Sequence, residues 1–127
     1  MIHIKAAIQG EPDTESHTIE VHYPESDEVV FFESVKMIKE RIAKGLKINI
    51  NETVTMFIAH IVTEFRKGKP ADDIGKSLSK VLSPEEVLIG VPESLRQVTF
   101  AITLDEKVNE NITVHTPIPT SEYVMWA

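Results

Sequence analysis

Apolar and polar residues alternate from the first residues of the chain. Ile2, Ile4, Ala6 and Ile8 fall on one side, His3 and Lys5 on the other, the period of a half-buried strand over 1–9. "GEPDTES" (10–16) gathers turn residues, and "HTIEVHY" (17–23) alternates again, with Ile19, Val21 and Tyr23 on one face. Two strands around a polar loop predict a hairpin. A lone hairpin is marginal in water, so this one is expected to dock on other strands or on a partner.

Past Pro24 the period lengthens. Phe31, Val35, Ile38 and Ile42 recur at spacings of four, three and four, a helical stripe, with Ser26 or Asp27 as its cap and Gly45 at or just past its end. "LKINI" reads as an extended connector. Asn49 with Glu52 three residues on forms a capping-box pattern, with Asn51 as an alternative cap. The helix that follows carries Val54, Phe57, Ile58, Ile61, Val62 and Phe65 and stops at Lys67-Gly68. Pro70, Asp72 and Asp73 open a third helix with Ile74, Leu78 and Val81 inward. "SPEE" (83–86) predicts a short fourth helix running to about Ile89 and ending at Gly90.

Alternation returns with Val98, Phe100, Ile102 and Leu104. "DEKVNEN" reads as the turn, and "ITVHT" as the returning strand, closed by Pro117 and Pro119. The order ββ-αααα-ββ predicts an α+β fold, a four-helix layer with small antiparallel β-hairpins at both ends of the sequence.

A chain of 127 residues fits one domain with one core. It has no cysteine, which excludes disulfides, thiolate metal sites and cysteine nucleophiles and fits a reducing compartment. The net charge of −7 opposes a dedicated nucleic-acid binder, since the basic residues at 36–47 and 66–69 are interleaved with or adjoin Glu33, Glu40 and Glu64. The opening run is too short for a signal peptide, and no stretch approaches the roughly 18 apolar residues of a membrane helix. The expected location is the cytoplasm.

Candidate chemistry is sparse. His60 and Glu64 lie a turn apart on one helix face, the spacing of a metal half-site, but a third ligand is missing unless distant His115 supplies it. The ordinary alternative is a boundary histidine bonded locally. His3 and His22 could share the polar face of the first hairpin. None of Ser77, Ser79, Ser83 or Ser94 sits in a nucleophile turn, and neither a phosphate-cradling glycine loop nor an H-E-x-x-H is present. The residues themselves nominate no catalytic, cofactor or metal site.

Four segments recur in a familiar order: "ERIAKGLKIN" (40–49), "FIAHIVTEFRKGK" (57–69), "VLSPEEVLIGVPE" (81–93) and "ITVHTPI" (112–118). Together they resemble the urease gamma subunit family. The likeness rests on Ala43 to Asn49, Gly68-Lys69, Val81-Leu82, Gly90-Val91-Pro92-Glu93 and Val114-His115-Thr116-Pro117-Ile118. It implies a gamma-like domain over 24–118, with an extra N-terminal hairpin at 1–23 and a tail at 119–127. The acidic "DEKVNEN" stands where the family has a shorter hairpin turn.

The resemblance further implies a non-catalytic assembly subunit of a urease complex. Such a chain has alpha and beta subunits as partners, nickel is held by the alpha chain, and urea is hydrolysed only in company. His60 then binds no metal. A divergent, self-associating or partner-binding module without urease function is the alternative. For an interface, homo- or hetero-oligomeric, the expected residues are Gly90, Val91, Pro92, Glu93, His115, Thr116, Pro117, Tyr123 and Trp126, the last two in the apolar tail.

Overall fold

The computed structural model describes residues 1–10 and 17–119. Along the chain run β1 (Ile2–Gln9), β2 (His17–Tyr23), α1 (Glu28–Ala43), α2 (Ile50–Arg66), α3 (Ala71–Ser77), α4 (Val91–Ser94), β3 (Gln97–Leu104) and β4 (Val108–His115). The fold is α+β, as the pattern predicts.

The two hairpins are not separate. They join into one antiparallel sheet ordered β2-β1-β3-β4, with the first strand in the interior. Ile2 faces Leu104, Ile4 faces Ile102, Ala6 faces Phe100 and Ile8 faces Val98. All eight side chains are buried and meet Phe57, Ile58, Ile61 and Val62 of α2 in a single core. Fully burying an Ile or Phe stabilises by about 1.5–3 kcal/mol, so these pairs supply the docking that a lone hairpin lacks. Lys5, Ala7, Ala101 and Thr113, on the opposite face, are exposed.

Local signals set the ends of the two long helices. The Asn49 side chain accepts from the Glu52 N–H at 2.8 Å, and Glu52 returns the bond to the Asn49 N–H at 3.0 Å, so Asn49 is the cap. Gly45 (φ +82°) and Gly68 (φ +85°) end α1 and α2 in the left-handed conformation. The bonds Leu46 N–H to Arg41 O and Gly45 N–H to Ile42 O, with Lys69 to Glu64 and Gly68 to Phe65, form two Schellman closures.

Two expectations change. The "SPEE" segment makes one 3-10 turn, Pro84–Glu86, rather than a helix to Ile89. Ile48 donates to Glu86 O at 3.1 Å and accepts from the Leu88 N–H at 2.9 Å, which draws 86–88 into an extended bridge. The fourth helix is instead Val91–Ser94, entered from Gly90 at φ +94°. The "DEKVNEN" turn shrinks to Asp105, Glu106 and Lys107, because Val108 to Asn111 already pair in β4. Asp105 (φ +54°) and Glu106 (φ +57°) are both left-handed, as in the primed turns that match strand twist. No described helix is long and apolar enough to cross a membrane.

Candidate functional site

The capping box at Asn49 fixes the start of α2 and so decides which way His60 points. Ile58, Ile61 and Val62 are fully buried, which leaves His60 half-buried at the edge of their stripe. Its Nε2 lies 2.6 Å from Ser77 Oγ. The Ser77 hydroxyl donates its single proton to Ile74 O at 2.8 Å, so it can only accept from the ring. In this network Nε2 carries the hydrogen and Nδ1 keeps the lone pair. Burial pushes the His60 pKa down, and Lys67 adds to that against the opposing pull of Glu64. Among the described residues no set of three or more His, Asp or Glu side chains is placed to hold a metal ion.

Beside His60 a groove of about 510 Å³ opens between α1, α2 and the turn after α3, floored by Phe32, Val35, Met56 and Val81. Lys39 and Lys80 flank it. The His60–Ser77 pair lies on its wall, with the Ser77 hydroxyl held on the Ile74 carbonyl.

Charge gathers at the far end of α2. Arg66 Nε and Nη2 donate to the two oxygens of Asp105, each at 2.9 Å, and Nη2 also reaches Glu28 Oε1 at 2.7 Å. The Met1 amino group sits 2.8 Å from Glu28 Oε2 and 3.1 Å from Asp105. Arg66, with help from that amino group, holds the Asp105 pKa down to about 2. Burial raises the Glu28 carboxyl, but its two cations outweigh that and the net shift is downward. The cluster ties α1, α2 and the β3–β4 turn together and is a clamp rather than a reaction centre.

The residues nominated for an interface divide. Val91, Pro92 and Pro117 are buried within the chain, Gly90 and Glu93 are half-covered, and His115 and Thr116 are exposed. Thr116 turns the chain at φ +49° while its N–H bonds Arg96 O at 2.8 Å. Tyr123 and Trp126 lie outside the described residues. The exposed apolar side chains at this end are Leu46, Leu88 and Ile89, the last wholly exposed. Periodicity missed Leu88 and Ile89, because the expected fourth helix ran through them. His3 and His22 do meet, with rings stacked 4.5 Å apart, and His3 Nε2 bonds Glu20 at 2.5 Å.

A family model described as "Urease, gamma subunit" matches residues 19–118. The chain belongs to the urease gamma subunit family. The urease subunit gamma of Halalkalibacterium halodurans is 32% identical over 94 residues, spanning 74% of this chain and 93% of that protein. That of Saccharopolyspora erythraea is 33% identical over an equal length, with the same coverage. The gamma-family segments coincide with the structural punctuation: "AKGLKIN" holds the Schellman closure of α1, "GK" at 68–69 that of α2, and "GVPE" the start of α4. Strand β1 lies outside the span matched by the urease gamma model.

Proposed function

We propose that this chain is a non-catalytic assembly subunit of a urease complex, acting in the cytoplasm with alpha and beta subunits as partners. In this reading the alpha chain holds the nickel, and urea is hydrolysed there. The observation that carries the reading is membership of the urease gamma subunit family along 19–118. The local bonding of His60 agrees with it, because the one half-site spacing in α2 is used for packing. Residues 24–118 form the gamma-like unit in this proposal, residues 1–23 are an addition to it, and 119–127 are a tail.

A tagged pull-down from native cells, with mass spectrometry, nickel analysis and a urea hydrolysis assay on the eluate, tests it. A large nickel-bearing chain that co-elutes with ureolysis is the expected result. Recovery without such a chain and without ureolysis would overturn the proposal. The alternative, a self-associating module, is favoured by one observation: among the described strands the sheet ends in an open edge at β2.

A further inference from the structure

Strand β2 closes one side of the sheet, and no described strand pairs with its outer edge. Natural edge strands are protected by lysines, proline, bulges or a covering helix. At the other side of the sheet α3 packs against β4, where a Cβ on Gly75 would lie 3.3 Å from the Ile112 side chain. Among the described residues β2 has none of these devices. It pairs residue for residue with β1 from His17 to Tyr23 without a bulge, and it contains neither Lys nor Pro. Its core-side residues Ile19, Val21 and Tyr23 are only half-buried, whereas their β1 neighbours Ala6, Ile4 and Ile2 are fully buried.

We infer that β2 is an interface for a second copy of this chain, which pairs β2 with β2 antiparallel about a two-fold axis at Val21. Residues opposed across an antiparallel pair share a face, so the register can be judged by what it opposes. An axis at Val21 sets Val21 against Val21 and Ile19 against Tyr23 on the apolar face. On the polar face it sets Glu20 against His22, twice by symmetry. An axis at Glu20 opposes two carboxylates, which is destabilising. An axis at Ile19 sets exposed His17 against Val21 and leaves Tyr23 unpaired. Only the Val21 register sets apolar against apolar and polar against polar without opposing two carboxylates. The two four-stranded sheets then run on as one, and the half-exposed apolar row of each copy gains its missing neighbour. This interface does not depend on a urease partner.

The chain has no cysteine, so single substitutions read the register directly. Opposed residues in an antiparallel pair lie within disulfide reach. Under mild oxidation Val21→Cys should give a disulfide-linked dimer. Ile19→Cys and Tyr23→Cys should each stay unlinked alone and link when mixed. Light scattering on the parent chain should give twice its 14.3 kDa. Glu20→Ala, which removes the carboxylate from both symmetric Glu20–His22 pairs, should raise the dimer dissociation constant severalfold. A monomeric parent overturns the inference, including the case where another chain's strand takes the edge. So does a dimer in which Ile19→Cys alone links as readily as Val21→Cys.

Discussion

His60 shows how a single hydrogen decides what a side chain can do. Ser77 can only accept from the ring, and burial favours the neutral imidazole. The histidine pKa in the folded state lies below its ordinary 6.5, so below that value the unfolded chain takes up the proton first. Its contribution to stability is therefore full above 6.5 and falls as the pH drops through the window just below it. Urea unfolding across that range should show the slope, and His60→Gln should flatten it. Ser77→Ala should cost about 1 kcal/mol by leaving the ring N–H without its acceptor. Asp105 works with the opposite sign. Its folded pKa of about 2 lies below the ordinary 3.8, so its contribution is present above 3.8 and is lost as the pH falls towards 2. Arg66→Met should return the Asp105 titration, followed by carboxyl NMR, towards 3.8, and should destabilise by about 1 kcal/mol because the pair is partly solvated. The His60–Glu64 spacing was visible in the sequence. The Arg66 clamp was not, since its partners lie 38 and 39 positions away and nothing local marks them.

At the scale of elements, the signals that held are the ones in which a residue bonds its near neighbours. Asn49 with Glu52, and the glycines that close α1 and α2, sit where the pattern put them because their partners are within five residues. Asn49→Ala should cost about 1 kcal/mol in thermal or urea unfolding. Gly68→Ala should cost about as much, because φ is +85° there, although a Cβ would meet nothing. An Asn at position 68, which tolerates the left-handed region better, should recover part of the loss. The fourth helix failed for a non-local reason. "SPEE" starts a turn as expected, but the bridge from Ile48 competes for the backbone of 86–88 and leaves Leu88 and Ile89 facing out.

The whole molecule depends on its first strand. β1 pairs on both sides and buries four apolar residues against α2 and β3. Ile4→Ala should therefore cost about 2–5 kcal/mol, the range for truncating a buried aliphatic chain. Calorimetry or urea unfolding would read that against a total of about 5–15 kcal/mol for an ordinary domain. A cost below about 1 kcal/mol would mean that β1 is loosely docked. By itself the sequence determined the α+β class, both long helices with the Asn49 cap and the glycines that close them, the inward row of every strand and the gamma-family segments, because periodicity and capping are properties of neighbouring residues. The tertiary structure alone decided that the two hairpins share one sheet, that His60 turns to Ser77 and that Arg66 meets Glu28 and Asp105. Each of those depends on which apolar surfaces find one another in space, and alternation states only that a strand has a buried face.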